Sequence, residues 1–266
     1  MGLVVRDDLS QRIALSKSSL TTFDVCATQA WHDIHHRLPL IPAERITFGS
    51  AVDAGVEAVV KFLRMEQEPD LDVCLAAASE VIARDETGVE LSEVGVALTR
   101  FLSDVAPSFD FRYARTQEHI TGELPDLGEV DGHPDIWLAD GRIFDVKTAK
   151  REKAAEPTVE LGFYAVIGEA YSGSPVPSVG YWTWTRTSRP HWQLLEFPVT
   201  DQLRRWTIEK AAAFIRAKRA DAILNRDAET PVNFTMTGGP KFGCDNCAYR
   251  PICAIATIEA SDDDAA

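Results

Sequence analysis

Three cysteines crowd one end of this chain, in Phe242-Gly-Cys-Asp-Asn-Cys-Ala-Tyr-Arg-Pro-Ile-Cys253, and a fourth, Cys26, stands near the other end. A lone cysteine is explained by packing. Cys244-x-x-Cys247, with Cys253 after five intervening residues, has instead the compactness of a metal–thiolate loop. With Cys26 as a fourth ligand, a metal centre clasps the N-terminal segment to the C-terminal one. The loop closed in this way spans roughly two hundred residues, and its closure entropy grows only slowly with length. Any fold for this chain then has to bring residue 26 beside residues 244–253.

Composition narrows the class. The 266 residues are 45% hydrophobic with a mean hydropathy of -0.12. There is no apolar run of about eighteen residues and no basic, apolar leader at Met1-Gly-Leu-Val-Val-Arg-Asp-Asp, so a cytoplasmic protein with no membrane span is expected. Five cysteines are too few for a disulfide scaffold, and a reducing compartment favours metal ligation by the clustered ones. The fifth, Cys74, reads as helix packing in Leu71-Asp-Val-Cys-Leu-Ala. Net charge is -14, from 27 basic and 41 acidic residues, which argues against a protein that coats nucleic acid through a broad basic surface. Many acids lie within 66–93 and 259–264, so a local basic groove is compatible with the negative total.

Apolar periodicity predicts a first helix over 19–36 behind a serine cap, carrying Cys26, and a second over 48–63 with Val52, Val56, Val59 and Leu63 on one stripe. Residues 71–104 read as one or two acidic, alanine-rich helices. From residue 118 the period shortens: 120–124, 130–138 and 142–148 are strand-like and read as a β-meander. A helix over 156–171, paired strands over 179–186 and 191–197, and a long helix over 200–224 follow. This order predicts an α/β (α+β) fold with a central mixed sheet flanked by helices. One domain over 1–255 is expected: a helical part at about 19–115, a core at about 116–225 and the cysteine loop at about 240–255, followed by a disordered acidic tail at 256–266.

The segment Gly132-His-Pro-Asp-Ile-Trp-Leu-Ala-Asp-Gly-Arg-Ile-Phe-Asp-Val-Lys-Thr148 carries the chemistry. A hairpin puts Asp135 near the end of one strand and Asp145 on the next, with Lys147 on the same face as Asp145. Two carboxylates and an ammonium suit phosphodiester hydrolysis: the acids hold Mg²⁺ or Mn²⁺, and the lysine orients a nucleophile or stabilises the transition state. The same spacing also fits a turn aspartate beside a solvated Asp/Lys pair.

Together with the cysteines, this pattern resembles the RecB-like branch of the PD-(D/E)XK nuclease superfamily, in particular iron–sulfur members such as the CRISPR-associated RecB-like exonucleases and the AddB nuclease domain. Five segments match in order over residues 16–255: Ser19-Leu-Thr-Thr-Phe-Asp-Val-Cys26, Phe48-Gly-Ser-Ala-Val-Asp53, Pro134-Asp135 with Asp145-Val-Lys147, Glu160-Leu-Gly-Phe-Tyr164, and the three-cysteine loop. The resemblance implies a restriction-endonuclease-like core and a largely structural [4Fe-4S] cluster on Cys26, Cys244, Cys247 and Cys253. It also implies metal ligation by Asp135 and Asp145 with the Val146 carbonyl beside them, Lys147 as the catalytic lysine, and Tyr164 touching substrate or bracing the site. Asp53 stands where the family has a metal-binding His and supplies a hard oxygen ligand instead; Glu160 stands where the family has Gln, either in the metal shell or pointing away. The implied activity is exonucleolytic attack on DNA ends, single strands preferred, in recombination, repair or end processing in a bacterium or phage-infected host. No Gly-x-x-x-x-Gly-Lys-Ser/Thr loop occurs, so unwinding falls to a helicase or recombinase partner, and a homo-oligomer threading DNA is compatible with the sequence. The alternatives are a weakened DNA-binding accessory subunit on the same fold, and zinc in place of the cluster.

Lesser signals complete the reading. Lys150, Arg151 and Lys153, with Arg205, Arg216 and Arg219 opposite Ile208, Ala211 and Ile215 on the long helix, line a strand-tracking groove or are simply solvated. Glu123, ahead of Glu118, is a candidate additional acid. Glu57 reads as an ion-pair partner of Lys61. His32 and His36 imitate a zinc-protease spacing without its glutamate and read as a polar helix end. Tyr181-Trp-Thr-Trp184 reads as core.

Overall fold

The computed structural model describes residues 15–35, 43–125 and 127–224, together with 247, 249 and 253. The tail at 256–266 and Cys244 lie outside them.

The chain opens with a two-residue strand, β1 (Leu15–Ser16), and passes directly into α1 (Lys17–Val25), whose cap Ser16 accepts the Ser19 N–H at 3.3 Å. The single helix expected over 19–36 is two. Cys26 is extended (φ -152°, ψ 106°), and α2 (Ala27–His35) starts after it. The Cys26 thiol accepts the Gln29 N–H at 3.4 Å, taking up a donor that a helix start leaves free. Three more helices follow: α3 (Glu44–Arg64), one turn longer at its start than predicted, α4 (Leu71–Asp85) and α5 (Leu91–Arg100), which continues into a wide turn over Phe101–Val105.

The expected meander is divided between two sheets. β3 (Ile120–Leu124) and β4 (Gly128–Gly132) pair antiparallel, and β1 adds to β4 in parallel. After Gly132 the chain leaves this sheet. The predicted strand over 130–138 breaks at 133–135, around Pro134, which has no N–H to give a ladder. β5 (Ile136–Trp137) then enters a second sheet of order β2-β5-β6-β7-β8, with β2 at Arg115–Thr116, β6 at Ile143–Ala149, β7 at Ser178–Thr185 and β8 at His191–Pro198. β6 and β7 run parallel, joined through α6 (Val159–Ser172); the other pairs are antiparallel. The last described helix is α7 (Asp201–Leu224).

The two faces of the five-stranded sheet bury different helices, and strand alternation decides which side chain goes where. Phe144 and Val146 of β6 and Trp182 and Trp184 of β7 face a core shared with Val52, Val56 and Val59 of α3. Tyr181 and Trp184 lie in strand β7, buried along its whole length, as packing residues. Ile143 and Tyr181 face the other way, into a core with Leu20, Phe23, Tyr164 and Phe214. Asp145 and Lys147 share that second parity, so β6 turns both toward α1 and α6. On α7 the buried stripe is Leu203, Thr207, Ala211, Phe214 and Ile215; Ile208, predicted to join it, is 39% exposed. Cys74 is buried in α4, as the sequence indicates.

Candidate active site

Four elements deliver acids to one end of the β5–β6 pair. Asp53 comes from the middle of α3, Asp135 from the residue before β5, Asp145 from β6 and Glu160 from the first turn of α6. Asp145 is fully buried. The Val146 N–H donates to Asp135 Oδ2 at 2.7 Å, which fixes Asp135 against β6. Burial above all, and then the neighbouring Asp145 and Glu57, push the Asp53 carboxyl up to about 6. Burial, followed by Asp145 and Asp53, holds Asp135 well above the usual carboxylate range.

Two lysines stand opposite. Lys147 ion-pairs with Asp145 Oδ2 and lies 3.0 Å from Glu160 Oε1. Lys17, the first residue of α1, lies 3.1 Å from Asp145 Oδ1 and 3.1 Å from the same Glu160 Oε1. Burial works against the charge on both ammonium groups, but the facing carboxylates outweigh it and raise both above their ordinary value. For Glu160, burial acts upward and is overcome by Lys147 and Lys17, leaving its carboxyl at about 2. The Tyr181 hydroxyl donates to Glu160 Oε2 at 3.0 Å, and Thr158, the cap of α6, holds that hydroxyl from the other side. Glu160 therefore points into the site.

Tyr164 packs behind these side chains. It is 0% exposed, and its hydroxyl donates to the His133 carbonyl at 2.9 Å, tying α6 to the turn that carries Asp135. Lys17 sits 5.0 Å above its ring.

Three participants are not visible as such in the sequence. Lys17 carries no spacing signal. Gln117 donates from Nε2 to Asp53 Oδ2 at 3.1 Å and to Asp135 Oδ1 at 3.0 Å, reaching between the two acids from a left-handed backbone (φ 49°). Lys153, read only as a groove residue, lies over the Tyr181 ring at 3.7 Å, and burial chiefly lowers its ammonium. Among the described residues no three His, Cys, Asp or Glu side chains enclose a point where an ion would sit. Gln117 and the two lysines occupy the inward-facing acid oxygens instead.

Other expectations fall elsewhere. Glu123 is exposed on β3 opposite Glu129, and Glu118 pairs with Arg115 at 3.6 Å; neither contributes an acid to the site. Glu57 pairs with Lys61 at 2.8 Å, as expected. Lys150, Arg151, Arg205 and Arg216 are exposed. His32 is buried, not a polar helix end: its ring packs edge-on to Trp31 and stacks on Tyr249 of the cysteine loop at 5.1 Å. Cys26 and Cys247 carry free thiols. Burial raises the Cys247 thiol, and the neighbouring Cys26 and Cys253 add to the rise.

A mixed sheet with a buried Asp-x-Lys strand, a preceding Pro-Asp and helices on both faces defines a restriction-endonuclease-like nuclease fold. The chain belongs to the PD-(D/E)XK nuclease superfamily, whose family model matches residues 14–254. Three solved structures similar to it share little sequence with it. A proposed exonuclease from Eubacterium rectale shows 15% identity and a TM-score of 0.46 over 83% of this chain and 88% of its own. The protein SSO0001 shows 13% and 0.42 over 91% and 86%, and LHK-Exo in complex with dAMP shows 14% and 0.31 over 68% and 96%. No curated protein matches. Among the described residues, no helix is long and apolar enough to cross a membrane.

Proposed function

We propose that this chain is a metal-dependent DNA exonuclease that hydrolyses phosphodiester bonds from DNA ends, with single strands preferred. The observation that carries the reading is the convergence of the fully buried Asp145 with the half-buried Asp53 and Asp135 beside Lys147. Crowding carboxylates together where water is largely excluded is costly, as the raised Asp53 and Asp135 carboxyls record, and proteins tolerate the cost mainly where function requires it.

The donor set suits a divalent cation. Asp53, Asp135 and Asp145, with the Val146 carbonyl, are hard oxygen donors, and the two raised carboxyls gain from a dication the compensation they lack without it. Such an ion supplies Lewis-acid polarisation of the phosphate and a lowered pKa for water. The chain's own residues do the rest. The Val146 N–H and Tyr164, through His133, set the position of Asp135. Lys147, held charged, meets the phosphate and stabilises the charge that develops on it. Exposed Lys150, Arg151, Arg205 and Arg216 give the strand electrostatic footing.

The cysteines belong to the same reading. Cys26, Cys244, Cys247 and Cys253 would hold a [4Fe-4S] cluster with a structural role. The mutual influence of the three described thiols and the stacking of Tyr249 on His32 support a C-terminal loop docked on α2. Opening a duplex is left to a helicase or recombinase partner.

The test is loss of label from end-labelled single- and double-stranded DNA by anaerobically purified protein with Mn²⁺ or Mg²⁺, beside Lys147→Ala. Metal-dependent loss in the wild type alone supports the nuclease. Silence from both, with DNA still bound, favours an accessory DNA-binding subunit.

A further inference from the structure

We propose that Lys17 is a positioning residue whose task is to neutralise Glu160, so that Lys147 remains available to the substrate; this rests on the nuclease reading above. Glu160 Oε1 is shared by two ammonium groups, Lys147 at 3.0 Å and Lys17 at 3.1 Å. Asp145 is shared by the same two, one on each oxygen. The four side chains form an alternating ring of two cations and two anions, neutral overall, with Asp53 and Asp135 left outside it as the pair a dication would balance.

Without Lys17 the ring has one cation for two anions, one of them fully buried. Lys147, already paired with both Asp145 and Glu160, then has to balance the two alone, and Glu160 presents a half-compensated negative charge where a phosphate must approach. Glu160 has nowhere to turn: the Tyr181 hydroxyl, itself held by the capping Thr158, donates to its second oxygen, and its helix start favours an acid there. Lys17 is equally fixed. It is the first residue of a helix capped by Ser16, its Nζ lies over the Tyr164 ring, and its side chain is only 21% exposed. A lysine at that depth serves the interior of the site rather than the solvent.

The measurement is a double-mutant cycle of Lys17→Met, Glu160→Gln and their combination, followed by single-strand degradation and by thermal melting in EDTA. Lys17→Met is expected to lower kcat about tenfold and raise KM for DNA. In the combined variant the neutral amide at position 160 no longer needs a counter-charge, and activity is expected to recover to within about threefold of wild type. In EDTA the melting temperature lost by Lys17→Met is expected to return in the combined variant. An indifferent Lys17→Met, or a combined variant as impaired as Lys17→Met, overturns the assignment while leaving an active wild type as a nuclease. A wild type that degrades nothing removes the nuclease reading itself. The EDTA melts still decide whether the two charges are coupled.

Discussion

The side-chain amide of Gln117 donates to Asp135 across 3.0 Å, and its second hydrogen reaches Asp53 at 3.1 Å. A donor placed between two carboxylates relieves part of their repulsion, as a cation placed there would relieve all of it. The amide and a divalent ion therefore compete for the same acid oxygens. Gln117→Leu removes two hydrogen bonds to charged groups, each worth roughly 1.5–3 kcal/mol. The metal-free variant should melt several degrees below wild type and bind Mn²⁺ about tenfold more tightly. Titration calorimetry with Mn²⁺ measures this directly; weaker binding would mean that the amide oxygen is itself a ligand.

Tyr164→Phe is expected to lower kcat with little change in KM for DNA. The hydroxyl is buried and, among the described residues, donates to the His133 carbonyl, so its loss loosens the turn before Asp135 rather than removing a contact to DNA. The cost to stability is about 1–2 kcal/mol, from one buried hydrogen bond and a stranded carbonyl. Steady-state kinetics on single-stranded DNA, with melting to confirm folding, separates this from a substrate contact, which would raise KM.

Much of this site is legible in the sequence because its pieces are local. Pro134-Asp135 leads directly into β5 and Asp145-Val-Lys147 lies on the adjacent β6, where strand alternation alone sends Asp145 and Lys147 to one face. The strand pattern misleads at the same place: periodicity runs through 130–138, whereas Pro134 breaks the ladder and moves the chain from one sheet to the other. Lys17 gives no sign of its role because its relation to Asp145 spans 128 residues and is made by the docking of α1 on α6. Gln117 gives none because its reach depends on a left-handed backbone that a non-glycine sequence does not advertise. The helix break at Cys26 is hidden by an unbroken apolar pattern on both sides of it.

The acids predict how the metal-free protein responds to pH. Asp53 is pushed up to about 6 from an ordinary 3.8, mainly by burial and then by Asp145 and Glu57. A raised carboxyl binds its proton more tightly folded than unfolded, so the stability linked to it is whole below about 4 and is lost as pH rises through about 6. Asp135, also raised, carries the loss further up. Glu160, lowered to about 2, acts only at the acid end, where its contribution goes as pH falls below its ordinary 4.5. In EDTA, Asp53→Asn should therefore show a shallower decline in melting temperature than wild type between about pH 4 and about pH 6. Parallel declines would remove Asp53 as the titrating group.

Gly162→Ala should be severely destabilising. A β-carbon at this point of α6 would run into the Thr207 hydroxyl and come within 3.2 Å of Leu203 Cδ1, both on α7. Neither helix can retreat without opening the core that α6 shares with α1 and β7. Overpacking of this kind costs about 1–3 kcal/mol and more where backbone must move. Chemical denaturation should show a lowered midpoint at an unchanged slope.

Cys26 occupies the break between α1 and α2, where its sulfur caps the second helix through the Gln29 N–H. Two roles are thereby separable. A cap is worth about 1 kcal/mol, and serine, a strong capping residue, supplies an oxygen for it. A cluster ligand has no such substitute. If Cys26 serves the proposed clasp, Cys26→Ser and Cys26→Ala should lose stability alike, by more than a cap is worth, and anaerobically purified protein should lose its visible iron–sulfur absorbance in both. DNA cleavage per folded molecule should fall less than stability does, since Cys26 caps α2 while the site acids come from α3, β6, α6 and the turn before β5. Stability restored by serine would reduce Cys26 to a cap, and a colourless wild type holding one zinc per chain would replace the cluster by a structural zinc.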